Sequence, residues 1–140
     1  MAASIGIFQS KSTINPLLMD KNLKYLANDD DWIQGEFTTK LDNWNETSKN
    51  FGLRYWENNS TWQKDGGAPM FLYLCGEWTC GPPSTDQAAF ALGDRLNANL
   101  FALEHRFYGN STPFHDDPEN AMTYENLKFL NSTQALEDIA

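Results

Sequence analysis

Two short stretches concentrate residue types that do chemistry. In "LFALEHRFYGNSTPF", Leu100 to Phe114, an apolar run ends abruptly in Glu104, His105 and Arg106, with Tyr108 and Gly109 close behind. In "LCGEWTCGPP", Gly76, Glu77 and Trp78 lie between Cys75 and Cys80. A glycine at a strand end lets backbone N–H groups approach a ligand closely, as an oxyanion hole requires. His105 could act as a general base, but no suitably placed nucleophile accompanies it. Neighbours in a strand point to opposite faces, so Glu104 and Arg106 share one face and His105 takes the other. Charges so placed are expected to be structural and ion-paired, because burying them demands partners. A metal site built from His105, His115, Asp116 and Asp117 is the weaker reading, since "HDDP" reads as a solvated turn. No metal and no other cofactor is expected. Ser111 in "GNSTP" resembles half of a G-x-S-x-G elbow, but Pro113 stands where the second Gly belongs, so it is rejected as the nucleophile.

The elements that must position these stretches follow from hydrophobic periodicity. Phe37, Thr39 and Leu41 alternate with polar residues, as do Phe51, Leu53 and Tyr55, which predicts two early strands around the polar loop "DNWNETSKN". "APMFLYLC" is a continuous apolar run, expected to be a strand buried on both faces. Ser84 with Gln87 forms a capping box, and Ala88, Leu92 and Leu96 recur at helical spacing through Ala98. The strand "LFALE" comes next. Met70 to Glu104 therefore reads as strand–helix–strand, long enough for a parallel crossover. Beyond Gly109 the chain is irregular until a helical segment near Tyr124–Leu130, and Asn131 with Gln134 caps a helix beginning "QALEDIA". Residues 1–31 read as a leader in which Ile14, Leu17, Leu18 and Leu26 could line a short helix; residues 32–140 form the domain. In a parallel α/β sheet, ligands bind beyond the carboxyl ends of the strands, where both chemistry-bearing loops lie.

Composition narrows the function classes. The net charge is −9, and residues 65–140 carry eleven acids against three bases. That argues against nucleic acid, which needs Lys and Arg to displace counterions from phosphates. No apolar run approaches the ~20 residues of a membrane span. The first residues lack a basic segment followed by a continuous apolar one, so no signal peptide is evident. Five N-x-[ST] sequons occur, at Asn45, Asn58, Asn59, Asn110 and Asn131, where composition predicts roughly two. The excess points to the secretory route, and Pro113 is expected to weaken the Asn110 site. The C-x4-C pair Cys75 and Cys80 is not a common zinc half-site. In an oxidising compartment it could close a small disulfide loop.

Five segments, in order, carry a resemblance: "GEFTTKLDNWNE", "NFGLRYW", "PMFLYLCGEW", "LFALEHRFYGNSTPF" and "LKFLNSTQALEDIA". Together they resemble the N-terminal half of the serine exopeptidase family of lysosomal Pro-X carboxypeptidase, dipeptidyl peptidase II and thymus-specific serine protease. The family patterns are similar to F-x-Q-x-L-D-H-F, R-Y, P-x-F-x-Y-x-G-G-E-G, E-H-R-Y-Y-G-x-S-x-P and L-x-Y-L-x-S-x-Q-A-L-x-D. The match spans roughly residues 35–140. The resemblance implies an α/β-hydrolase core, a peptide substrate cleaved next to proline or after its second residue, and a lysosomal or secreted location. It also implies a Ser–Asp–His triad whose Ser follows the "QALEDIA" helix. On this reading the chain is an N-terminal portion, truncated before the nucleophile elbow, with no catalytic residue of its own and no activity alone. Glu104, His105, Arg106, Tyr108 and Gly109 would brace the active-site floor. Gly76, Glu77 and Trp78 would supply an oxyanion-hole N–H.

The sequence departs from the family at two places. The family's His in L-D-H-F is Asn43 here, followed by Trp44. Its last Gly in G-G-E-G is Trp78, which reshapes the pocket or shifts the donor to Glu77. The alternative function is a non-catalytic, aromatic-rich binding module, for example one for carbohydrate, using Trp32, Trp44, Trp56, Trp62 and Trp78. Most of these lie near apolar strand patterns, where core burial is the ordinary explanation.

Overall fold

A computed structural model describes residues 5–7, 29–84 and 87–140. The expected leader helix through Ile14 and Leu26 falls outside them. The two early strands form as the alternation predicts: β2 is Ile33–Lys40 and β3 is Asn50–Asn58. The Leu41 N–H donates to the Lys49 carbonyl at 2.8 Å, so the pair closes as an antiparallel hairpin. Next come β4, Met70–Leu74, helix α1, Ala88–Arg95, and β5, Asn99–Leu103. At one end Asn99 N–H donates to Pro69 O at 3.0 Å; at the other Cys75 N–H donates to Leu103 O at 2.9 Å. Like ends meet, so β4 and β5 run parallel across the α1 crossover. A three-residue strand, β1, Ile5–Ile7, pairs antiparallel with β4, Ile5 opposite Tyr73. The sheet order is β1-β4-β5-β3-β2. Three short helices complete an α/β chain: α2, Pro118–Ala121, α3, Tyr124–Leu127, and α4, Ser132–Glu137.

Local chemistry corrects two expected boundaries. Ser84 does not cap α1. A turn from Gln87 N–H to the Ser84 carbonyl intervenes, Gln87 becomes the cap residue, and its own side chain makes no capping hydrogen bond. The helix stops at Arg95 rather than Ala98 because Asn97 adopts a left-handed φ of 50°, which asparagine tolerates better than most residues. The cap of α4 does form, with the Asn131 side chain accepting from the Gln134 N–H at 2.9 Å. Gln134 does not reciprocate. Its amide turns to the hairpin loop, donating to Asp42 Oδ1 and accepting from the Asn43 N–H, both at 2.9 Å.

The chain divides into two compact units. The first comprises Met1–Gln34, Trp56–Leu74 and Pro82–Ala102. Its core is Phe71, Phe90, Ala98 and Leu100, with Trp32, Tyr73, Leu92 and Leu96 packed against it. Trp32 meets Phe90 edge-on at 5.4 Å and Tyr73 does so at 5.6 Å. Each fully buried large apolar side chain here contributes roughly 1.5–3 kcal/mol. The second unit comprises Gly35–Tyr55, Cys75–Gly81 and Leu103–Ala140. Among the described residues, no helix is long and apolar enough to cross a membrane.

Candidate functional site

Both chemistry-bearing loops belong to the second unit, at the carboxyl ends of β4 and β5. Glu104 is fully buried at the end of β5 and is the hub of the first network. Arg54, on β3, grips it bidentately, Nη2 to Oε1 at 2.6 Å and Nε to Oε2 at 2.8 Å. Ser111 adds its hydroxyl at 2.7 Å and its N–H at 3.1 Å, both to Oε2. The Cys80 N–H donates to Oε1 at 2.9 Å. Burial alone would push this carboxyl up. Hydrogen bonds from Arg54, Ser111 and the Cys80 N–H, with the charge of Arg54, outweigh it and hold Glu104 below the usual glutamate range. The same hydrogen bond to Glu104 raises the Arg54 guanidinium above its ordinary value.

Arg106 anchors a second network. Its Nε and Nη2 form a fork onto Asp138 at 2.7 and 2.6 Å. Its remaining donors reach the carbonyls of Leu41, Phe129 and Lys40 at 3.0–3.1 Å. All five guanidinium N–H groups are thereby used. Its guanidinium also lies over the Phe51 ring, 5.5 Å from the centroid. Asp138 in turn accepts from Thr39 Oγ1 at 2.9 Å and from Asn43 Nδ2 at 3.2 Å. So Glu104 and Arg106, one residue apart from mutual reach in sequence, do not pair with each other. Their partners are Arg54 and Asp138. Sequence reasoning missed both, although each lies inside a quoted segment, Arg54 in "GLRYW" and Asp138 in "QALEDIA". A signal was present there; the pairing was not.

The loop after β4 is closed by a disulfide between Cys75 and Cys80, whose Cα atoms are 6.1 Å apart, inside the usual span. Within it the Trp78 N–H donates to the Gly76 carbonyl at 2.8 Å. That proton is engaged in a turn. The Glu77 N–H donates to no described residue. The Trp78 indole is half-exposed and folds back over Gly76, where a Cβ would fall inside the ring. Gly76 is thus required by close approach. Gly109 is required twice over. It has a left-handed φ of 54°, and a Cβ there would strike the Glu104 carboxylate.

Tyr108 stands edge-on to His105 at 5.6 Å. Burial, then the nearby Glu77 charge, raises its hydroxyl above the ordinary tyrosine value. His105 Nδ1 lies 2.9 Å from the Arg106 carbonyl. Ser111 gives its proton to Glu104, and no hydrogen bond joins it to His105 or His115. Among the described residues, no three His, Cys, Asp or Glu side chains cluster closely enough to hold a metal ion. Trp32 packs on Phe90, Trp56 is buried, and Trp44 and Trp78 are exposed.

The sequence has counterparts among known proteins. The model of the serine carboxypeptidase S28 family matches residues 39–140. A Caenorhabditis elegans protein named as a serine protease is 37% identical over 126 residues, 85% of this chain and 23% of the relative. Human thymus-specific serine protease is 38% identical, over 65% of this chain and 17% of its own length. Human lysosomal Pro-X carboxypeptidase is 35% identical, over 74% and 21%. The chain spans about a fifth of the length of these curated relatives.

Proposed function

The chain belongs to the serine carboxypeptidase S28 family, and on that premise we propose that it is the N-terminal part of an α/β-hydrolase core in a serine-type exopeptidase. The matched stretch begins in β2 and runs through α4 without a break, and this continuity carries the reading. The substrate is a peptide, cleaved beside proline or to release a dipeptide, and the setting is lysosomal or secreted. On this reading the nucleophile, acid and base lie outside the 140 residues.

Within the enzyme this chain supplies scaffold and one oxyanion donor. When a serine adds to the peptide carbonyl, negative charge develops on its oxygen, and a preorganised N–H stabilises that charge more than it stabilises the ground state. The turn at Trp78 leaves the Gly76 and Glu77 N–H groups open, and the Glu77 N–H is taken as the donor. The loop that carries it is closed by the Cys75–Cys80 disulfide and tied at Cys80 to Glu104. Glu104 is in turn held by Arg54 and Ser111. These are positioning residues. Glu104, His105, Arg106, Tyr108 and Gly109 form the floor and do no bond chemistry.

A segment exchange tests this. Residues 39–140 replace the matched segment of human lysosomal Pro-X carboxypeptidase. The hybrid should react with a fluorophosphonate probe and cleave proline-containing peptides, whereas the 140-residue chain alone should do neither. A folded hybrid that the probe does not label, or labelling of a serine in the chain alone, overturns the reading.

A further inference from the structure

The five sequons are not equivalent once folded. Asn58 is 1% exposed, and its Oδ1 accepts from the Ser60 N–H and hydroxyl at 3.2 and 2.7 Å. Asn131 is exposed, but both ends of its amide are engaged. Oδ1 caps α4 and Nδ2 donates to the Lys128 carbonyl at 2.8 Å. At Asn59, Nδ2 faces Glu57 Oε1 at 3.4 Å, and the Thr61 hydroxyl is given to Asp94 at 3.2 Å. Asn110 is followed by Ser111, Thr112 and then Pro113.

Asn45 differs from all of them. It sits exposed in the β2–β3 hairpin loop, with exposed Glu46 and Thr47 after it. Its Oδ1 accepts both the Thr47 N–H at 3.1 Å and the Thr47 hydroxyl at 2.9 Å. The two donors occupy the oxygen edge of the amide, and Nδ2 donates to no described residue. The loop is fixed by a Leu41 N–H to Lys49 carbonyl bond and by an Asp42 N–H to Ser48 Oγ bond at 2.9 Å. A large polar adduct on Nδ2 would therefore extend into solvent without breaking a hydrogen bond.

We propose that Asn45 is an N-glycan acceptor of this chain, and that Asn58 and Asn131 are not occupied in the folded protein. The donor is an oligosaccharide activated as a lipid-linked diphosphate. A bond forms from Nδ2 to the anomeric carbon, and the bond from that carbon to the diphosphate oxygen breaks. The diphosphate leaves with the bonding electrons and the amide loses one proton. The sequon supplies the recognition chemistry, and a surface loop accommodates the product. Burial filters the remaining sites. A chain carrying a glycan at Asn58 cannot close the Asn58–Ser60 turn, because that side chain has no route to water. A glycan at Asn131 would crowd the Nδ2 bond to the Lys128 carbonyl, beside the Oδ1 that caps α4.

The test is site mapping on the full chain, secreted behind a cleavable signal and carrying one appended C-terminal reporter sequon. Deglycosylation by peptide N-glycosidase in heavy-oxygen water marks each occupied Asn as heavy Asp. Only molecules with a marked reporter are scored, since these have met the transferase. Asn45 should be marked. Asn45→Gln and Thr47→Ala should each lose one glycan, Thr47→Ser should keep it, and Asn58→Gln and Asn131→Gln should lose none. Reporter-positive molecules with an unmarked Asn45 overturn the proposal. So does a marked Asn58 or Asn131 in soluble, folded protein.

Discussion

Around Phe90 lies an apolar cluster, although the same unit also buries Asn58, Asp94 and Asn99; around Arg106 the buried groups are largely nitrogen and oxygen. The first unit closes on Phe71, Phe90, Ala98 and Leu100, and shape and area do the work. The second buries two bidentate ion pairs, Arg54–Glu104 and Arg106–Asp138, with Ser111 and Gln134 among them. The difference extends to polar satisfaction. Buried atoms without a hydrogen-bond partner include Trp32 Nε1, Trp62 Nε1 and Asn99 Oδ1, all in the first unit, and among the described residues none is in the second. An apolar core tolerates an orphaned polar atom at a cost of about 1–3 kcal/mol. A core built on charge cannot, because each missing partner leaves an ion uncompensated. The lesson is one of redundancy. Carbon packing degrades by degrees, whereas a charge network fails at a single member.

The largest expected effects sharpen that contrast. Arg106→Ala strands the Asp138 carboxylate and three carbonyls, and should cost about 3–5 kcal/mol by urea denaturation. Phe90→Ala should cost a similar amount, about 3–5 kcal/mol, through the cavity it leaves. Second substitutions separate the two. Arg106→Met combined with Asp138→Leu should recover much of the loss, because neither charge is then buried. Adding Tyr73→Ala to Phe90→Ala should only deepen it. Equal rescue in both units would break the comparison.

A smaller effect isolates charge from shape at Glu104. Glu104→Gln keeps the volume and loses charge-assisted hydrogen bonds, and should cost about 2 kcal/mol at neutral pH. The sign with pH follows from linkage. The folded value of Glu104 lies below the unfolded one, about 4.3, so its stabilisation is complete above the unfolded value. It disappears as pH falls through the folded value. The gap between wild type and Glu104→Gln should therefore narrow on acidification below the ordinary glutamate range. A gap that stays constant from pH 7 downward would mean that the carboxylate's charge is not what binds Arg54, Ser111 and Cys80.

The smallest prediction compares helix caps. Asn131→Ala removes a side-chain cap on α4 and should cost about 1 kcal/mol. Gln87→Ala at the start of α1, where the Gln87 side chain makes no capping bond, should change stability by no more than about 0.5 kcal/mol. Thermal melts of the two variants settle it, and equal losses would remove the distinction between a polar and an apolar helix anchor.

Much of this protein was legible before any coordinates. Alternation at Phe37–Leu41 and Phe51–Leu53 announced the hairpin, and the apolar run at Met70–Leu74 announced a strand, but not one buried on both faces: Met70 is half-exposed and only Phe71 of the five is buried. The order of the five segments identified the family, because motif order is a property of the chain itself. The Ser84 cap failed for a local reason, a turn ahead of the helix that has no distinct pattern. The two ion pairs were hidden for a different reason. Glu104 and Arg106 were visible as charges that needed partners, yet a guanidinium accepts any carboxylate of suitable geometry. The choice of Arg54, 50 residues away, and Asp138, 32 residues away, lay with the tertiary structure alone. So did the consumption of the Trp78 N–H and the sorting of the sequons. Residue type determines which interactions a group requires, and only the packed fold decides which atoms are near enough to meet them.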